Sequence, residues 1–384
     1  MPRKRITFIR TDWGVSEYRK KHNAYGGIGY YRIIKPAQAL AAAYPEDYEV
    51  QVLGQDMLEK YGDTPERCYP GLLADSDLVI TKEIDGINAS NLLALAKHFG
   101  KPLLVDSDDN FLAIRNDNPA SEYYGAGKQD RYMKAAFLSL PTGLVVSTEP
   151  LMEAYTKLNP QIHVLPNCND LADWPTETKR HNDGMIRVGY AGGVSHNADL
   201  EHVRPYMLEI LKKYPNVRFE ILGAYDKPEA LKMIEQFQDV ADRIQFFAGT
   251  PSWTGYPQAL ASMGWDIGIA PLVRDDFNVC KSHIKWMEYS SLKIPTVASN
   301  TYPYSQMIQG TPVIEQGKTG FLVKPSTPEY WITYVSQLIE QLELRQQVGQ
   351  NAYNAVKNNW QWSSHIHKWK QVIDFHLNGP GTRI

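Results

Sequence analysis

The chain has 384 residues, enough for two ordinary domains, and its 43% hydrophobic and 22% charged residues allow a sizeable core in each. A net charge of −3 neither requires nor excludes an anionic partner, and no run of about 18 apolar residues exists to cross a membrane, so stable membrane insertion is not expected. Three cysteines at long spacings, Cys68, Cys168 and Cys280, suggest neither a disulfide framework nor a zinc site; together with an N-terminus lacking a signal peptide's apolar core they point to the cytoplasm.

The basic cluster Arg3-Lys4-Arg5 reads as the solvated start of a first strand. Short apolar runs predict strands at Ile6–Ile9, Glu49–Leu53, Leu78–Ile80, Leu103–Val105, Leu144–Ser147 and His163–Leu165. Helical patterns lie between them, such as Ala89–Phe99 with Leu92, Leu93, Leu95 and Ala96 on a buried face. The polar stretch Asn167–Gly184 contains Pro175 and no apolar periodicity, and is predicted to be a linker. The strand pattern then restarts at Ile186–Tyr190, Arg218–Leu222, Ile244–Phe247, Ile267–Ala270, Thr296–Ala298 and Phe321–Val323. Asp199–Lys212 is a predicted helix with Leu200, Val203, Met207, Ile210 and Leu211 on one stripe. Helices are also predicted at Tyr330–Leu344 and Arg345–Asn358. The final segment, Ser363–Leu377, has the length to cross back onto the first domain. This alternation is α/β: two Rossmann-like doubly wound domains, residues 1–170 and 185–358, joined by a linker over 171–184 and followed by a C-terminal helix within 359–384. Such sheets bind ligands beyond the carboxyl ends of their strands, which puts the site in the cleft where the two domains face each other.

Four segments carry chemistry. The first is DIGIAPLVRDDFNVCKSHIKWMEYSSLKIPTVAS, Asp266–Ser299. A helix starting near Ser282 would have Ser282 as N-cap, with the N–H groups around Ser282 and His283 free to bind phosphate. Lys281 and Arg274 add full positive charges on the same loop. Glu288 lies roughly 9 Å further along the helix, where a carboxylate would meet the ribose of a diphosphate bound at the tip. The second segment is RVGYAGGVSH, Arg187–His196, where a strand runs into Gly192-Gly193 and lets backbone approach a phosphate. The third is YGGIGYYR, Tyr25–Arg32, with Gly27 and Gly29 nearly in the dinucleotide fingerprint but Arg32 in place of its third glycine. Arg32 either contacts phosphate or anchors the helix. The fourth is Asp106-Ser107-Asp108-Asp109 after the strand Leu103–Val105. These carboxylates cap a turn, orient sugar hydroxyls, act as base or bind a metal ion.

The first of these segments resembles the donor-binding region of the retaining glycosyltransferases of family four, which have the GT-B fold. That family has a Glu at the position of Glu288, then a small-residue turn and a strand like Ile294-Pro295-Thr296-Val297. It commonly has a second Glu eight residues earlier, where this chain has Cys280. Its Gly-rich turn corresponds to Gly192-Gly193 but often continues to an Arg and a Lys that clamp the diphosphate. Neither follows immediately here, which leaves His196 as a partial substitute or as a structural residue. A GGxG loop at the place of Tyr25–Arg32 faces the donor phosphates and the acceptor in that family. KPLLVDSDDNFLAI with Asn118-Pro119 resembles a bacterial and phage-type branch, and VLPN at Val164–Asn167 matches the exit from the first domain.

The resemblance implies a first domain for the acceptor and a second for a nucleoside diphosphate sugar. It implies transfer to a hydroxyl with retention of configuration, with no metal and no cofactor beyond the nucleotide sugar. Gly249 and Thr250 would sit in the loop that reads the base, where Trp253 stacks or simply packs. Lys281 and Arg274 would stabilise the leaving diphosphate, Asp108 would act on the transfer, and Arg32, Asp106 and Asp109 would face the acceptor. Three rival functions remain at this point: a nucleotide-sugar epimerase on the same scaffold, an NAD-dependent oxidoreductase, and a non-catalytic nucleotide-sugar-binding protein. The oxidoreductase lacks its third glycine. The acceptor is a glycan, a lipid-linked glycan or a hydroxymethylated base in phage DNA; DNA would call for a basic face, with Arg3–Arg5, Arg19, Lys20 and Lys21 as candidates.

Overall fold

The apolar runs become strands of parallel sheets, and the central ones are buried on both faces. In the computed structural model, which describes residues 2–12, 21–22, 24–53, 65–84, 86–193, 196–223, 232, 234–308 and 310–379, β1 (Lys4–Ile9), β2 (Tyr48–Leu53), β3 (Leu78–Lys82), β4 (Leu103–Ser107), β5 (Gly143–Val146) and β6 (Ile162–Val164) form one sheet. Its order is β2-β1-β3-β4-β5-β6, all parallel. The second sheet contains β7 (Ile186–Ala191), β8 (Val217–Gly223), β9 (Ile244–Ala248), β10 (Ile267–Ala270) and β11 (Thr296–Ser299). A two-residue hairpin that the sequence did not suggest, β12 (Met307–Ile308) and β13 (Thr311–Pro312), precedes the last strand, β14 (Phe321–Val323). The second order is β14-β11-β10-β7-β8-β9, again parallel apart from the separate hairpin.

Both sheets are doubly wound, but by different routes. The second has the dinucleotide-fold order, and the first has a flavodoxin-like order with an added strand. Their chains reverse direction between β1 and β3 and between β7 and β10, so crevices open at the carboxyl ends of those strands.

The C-terminal helix, Trp362–Asn378, returns to the first sheet. Its Ile366, Trp369 and Ile373 share a core with Ile6, Phe8, Leu40 and Leu104. Asn169 and Gln361 pair as the outgoing and returning chains cross. The helices before it break at Gln341, not at residue 344, giving Tyr330–Glu340 and Leu342–Asn359.

Arg3, Lys4 and Arg5 sit at the amino end of β1, the edge opposite the crevice. Lys4 pairs with Asp77 at 3.2 Å and Arg5 with Glu49 at 3.1 Å. Lys21 is exposed, while Arg19 and Lys20 lie outside the described residues. Among the described residues no helix is long and apolar enough to cross a membrane.

Candidate active site

The carboxyl ends of the two sheets enclose a cavity of about 450 Å³. The second sheet supplies Gly192 and Gly193 after β7, Gly223 at the end of β8, Gly249 and Thr250 after β9, and Leu272 after β10. The first sheet contributes Gly26, Gly27 and Ile28 from the chain after β1, and Asp108 and Asp109 from just beyond β4. The opening residues of a helix at Ile284–Ser291 close one wall. Lys281, Lys285 and Glu288 follow one another at spacings of four and three, and all three line the cavity. The two within the helix therefore share a face.

Glu288 is 6% exposed, and each of its oxygens already accepts one hydrogen bond. Tyr31 donates to Oε1 at 3.2 Å and Tyr256 donates to Oε2 at 2.8 Å. Burial pushes its carboxyl up to about 7, against the favourable hydrogen bond from Tyr256, the attraction of Lys285 and the bond from Tyr31. Lys285 moves the other way: burial and the neighbouring Lys281 bring its ammonium down to about 8. Burial would lower Lys281 too, but Asp109, 3.0 Å away, holds it above the ordinary lysine value.

His196 lines the cavity beside Lys285, with Asp199 behind it. Asp199 Oδ2 is 2.8 Å from His196 Nδ1, while its Oδ1 accepts from the Val273 N–H and the Asn278 side-chain amide. Burial, reinforced by Lys285, holds the imidazole down at about 4, so it is neutral. With Nδ1–H committed to Asp199, Nε2 is an acceptor 3.4 Å from Lys285 Nζ.

On the opposite wall, Asp108 receives the Lys82 ammonium at 2.5 Å. Burial would raise the Asp108 carboxyl; Lys82 outweighs it and holds it below the ordinary range. Two lysines and two aspartates thus line the cavity together with the Glu288 carboxyl.

Residues 186–341 match the family described as glycosyl transferases group 1. The second domain is thus a glycosyltransferase group 1 domain. Solved structures of similar fold include HepE from Anabaena (12% identity, 96% of this chain and 99% of that one, TM-score 0.65) and sucrose-phosphate synthase from Thermosynechococcus elongatus (14%, 97% and 98%, 0.65). TarM of S. aureus is 16% identical over 82% of this chain, with a TM-score of 0.59, and this chain spans 58% of TarM's length. At these identities the likeness is one of fold, the two-domain GT-B arrangement. The sequence matches no curated protein significantly.

Several residues expected at the site lie elsewhere or are engaged otherwise than expected. Arg274 is exposed and does not line the cavity; its loop turns outward after Leu272, and Lys285 supplies the second cation instead. Ser282 lines the cavity but does not cap the helix. The N-cap is His283, without a side-chain bond, and Ser282 Oγ accepts from the Asn167 amide at 2.8 Å. The His283 ring is buried against Trp360, 4.3 Å between centroids, away from the cavity. Burial brings its imidazole down to about 3.

Arg32 and Asp106 do not face an acceptor. β4 runs on through Ser107, so Asp106 is a strand residue paired with Val145 and has no exposure. Its carboxylate takes Arg32 Nε at 2.9 Å and Nη2 at 2.6 Å, and Arg32 Nη1 bonds the Leu165 carbonyl at 2.7 Å. The pair ties the helix after the Gly-rich loop to β4 and to the first domain's exit. Gly29 is buried against Asp12, whose carboxylate would lie 2.4 Å from an added Cβ; Asp12 itself accepts from the Gly26 N–H. Trp253 lines the cavity but is only 5% exposed, with one face stacked on Tyr30 at 4.1 Å. Cys280 packs into the first sheet's core with Phe111, Val146 and Leu151, and its carbonyl accepts from Thr148 at 2.7 Å.

Four residues at or behind the cavity had not been singled out from sequence: Lys285, Tyr31, Tyr256 and Lys82. The spacing of Lys281, Lys285 and Glu288 was a signal for the first. Nothing local marks the other three.

Proposed function

We propose that this protein is a glycosyltransferase that moves a sugar from a nucleoside diphosphate sugar to a hydroxyl acceptor, with retention of configuration and without a metal ion. The observation that carries this reading is Lys281, from the loop before the helix, and Lys285 and Glu288, from one face of that helix, all lining a cavity whose far wall holds Asp108 and Asp109. Backbone at Gly192, Gly193, Gly249 and Thr250 has the openness to admit a nucleotide, and Glu288 has the lone pairs to accept from ribose hydroxyls. HepE was solved with UDP and with UDP-glucose, and TarM with UDP, fondaparinux and α-GlcNAc-glycerol, which supports a nucleotide sugar as donor and a glycan or lipid-linked glycan as acceptor.

In this reading the bond from the sugar's anomeric carbon to the diphosphate breaks while the acceptor oxygen bonds to the same face. The acceptor's proton passes to the leaving phosphate oxygen. Lys281 and Lys285 stabilise the charge that develops on the diphosphate. The metal-free part of the reading is supported by these two ammoniums and by the pairing of each aspartate of the 106–109 segment with a base: Asp106 with Arg32, Asp108 with Lys82, Asp109 with Lys281. Asp108 is left to orient the acceptor hydroxyl or to stabilise the positive charge on the sugar. A cytoplasmic setting is part of the proposal and accords with three buried cysteines outside any disulfide. The DNA-acceptor reading gains nothing from Arg3–Arg5, which lie at the amino end of β1, with Lys4 and Arg5 paired to carboxylates.

The test is a panel of nucleotide sugars against glycan, lipid-linked glycan and hydroxymethylated-DNA acceptors in excess EDTA, with the anomeric configuration of the product read by NMR. Retained configuration and full activity are expected. Activity restored only by magnesium or manganese would overturn metal independence, and an inverted product would overturn retention. Donor consumed without acceptor would indicate an epimerase, and donor bound without turnover a binding protein.

A further inference from the structure

The two hydrogen bonds on Glu288 come from different domains. Tyr256 belongs to the second, on a helix at Tyr256–Met263 that follows β9. Tyr31 belongs to the first, on the π-helical stretch Tyr30–Ile34 beyond the Gly-rich loop. Tyr31 is 2% exposed and does not line the cavity. Its ring sits edge-on to Trp253, 5.0 Å between centroids, so the second domain also determines where its hydroxyl points. The hydroxyl reaches Glu288 from behind the cavity wall.

We propose that Tyr31 is a positioning residue for the donor: its hydroxyl, crossing from the first domain, holds the Glu288 carboxylate in the rotamer and charge state that accept the ribose hydroxyls. The inference rests on the ribose role proposed for Glu288. A carboxylate offers about four acceptor sites. With one on each oxygen taken by a tyrosine, the remaining ones are left for the two hydroxyls of a ribose. Tyr31 serves as a donor throughout the working range, because burial holds its phenol well above the ordinary tyrosine value. The charged group facing Glu288 is Lys285, one turn earlier on its own helix; Tyr256, Tyr289 and Tyr304 surround it as neutral phenols. A buried carboxyl near neutrality loses its charge readily, so each donor that favours the ionised form counts. The Glu288 site is thereby built from both domains. Domain arrangement and donor affinity are coupled reciprocally as a result.

The experiment measures nucleoside diphosphate affinity by titration calorimetry from about pH 5.5 to about pH 9 on the full chain, using whichever of UDP, GDP and ADP binds tightest. Tyr31→Phe keeps the ring and removes only the hydroxyl. It is expected to weaken binding about tenfold at neutral pH and to move the acid limb of the profile up by about one pH unit. Tyr30→Phe, next door, loses the bond to Asp173 without touching Glu288, and should leave that limb in place. Glu288→Gln should weaken binding and abolish the limb. An unchanged limb and affinity in Tyr31→Phe, with Glu288→Gln impaired, would sink the positioning role alone. Equal shifts in Tyr30→Phe and Tyr31→Phe would also sink it, since general loosening would then explain both. Wild-type binding by Glu288→Gln, or no binding of any of the three nucleotides, would instead remove the ribose reading on which it rests.

Discussion

The His196 ring stands between Asp199 and Lys285, with Nδ1 2.8 Å from the Asp199 carboxylate and Nε2 3.4 Å from the Lys285 ammonium. Asp199 fixes the tautomer, the ring presents a lone pair, and Lys285 is steered toward the cavity. With its ammonium near 8, Lys285 is charged below that pH and neutral above it. Diphosphate affinity should therefore fall as pH rises through about 8. Lys285→Gln should weaken binding roughly 10- to 100-fold at neutral pH and erase this alkaline limb. Persistence of the limb in the variant would assign it to another group.

Arg274 separates the two ways of supplying cations to the donor. It is exposed, outside the cavity, on a loop that leads away from β10. Arg274→Ala should change nucleoside diphosphate affinity by about twofold or less, as for an ordinary surface substitution. A tenfold loss would show that the loop folds inward when donor is present.

Asp108 should affect turnover and not donor binding, because its wall of the cavity belongs to the first domain. Asp108→Asn is expected to lower kcat by about 10²-fold with nucleotide Kd unchanged. The variant leaves Lys82 near Asp106 at 3.7 Å and Glu83 at 4.0 Å, so the ammonium keeps carboxylate neighbours. Full activity in a well-folded Asp108→Asn protein would reduce the residue to a partner of Lys82.

Arg32 and Asp106 should act through folding. Both are fully buried, and each is the other's main charge partner. Asp106→Asn leaves the guanidinium uncompensated and should cost about 3–5 kcal/mol in denaturant unfolding. Replacing both together, Arg32→Met with Asp106→Leu, should restore part of that loss because the desolvation penalty disappears with the charges. A variant at Asp106 with normal stability and lost turnover would return the residue to the acceptor side.

The fold was largely legible in the sequence. Every apolar run read as a strand is one, since a parallel strand buried on both faces leaves a continuous apolar signature between turn residues, and that signature is local. The Gly-rich turn at Gly192-Gly193 and the helix carrying Glu288 were legible for the same reason. The order of the strands was not: β1 lies between β2 and β3, and β7 between β8 and β10, and pairing of that kind is a long-range property of the whole sheet.

The ends of elements and the partners of charges belong to the tertiary structure. Asp106 looked like a residue beyond its strand, but pairing with Val145 extends β4 past it and buries it on Arg32. Arg274 and Lys285 are both cations near the same helix start, and only the course of the loop after Leu272 decides that Lys285 reaches the cavity. Glu288 was recognisable as a carboxylate on a helix that lines the cavity; its setting was not. The hydroxyl on its Oε1 comes from Tyr31, 257 residues earlier, and no local pattern records such a contact, because it exists only once two separately folded sheets have closed on the same aromatic cluster.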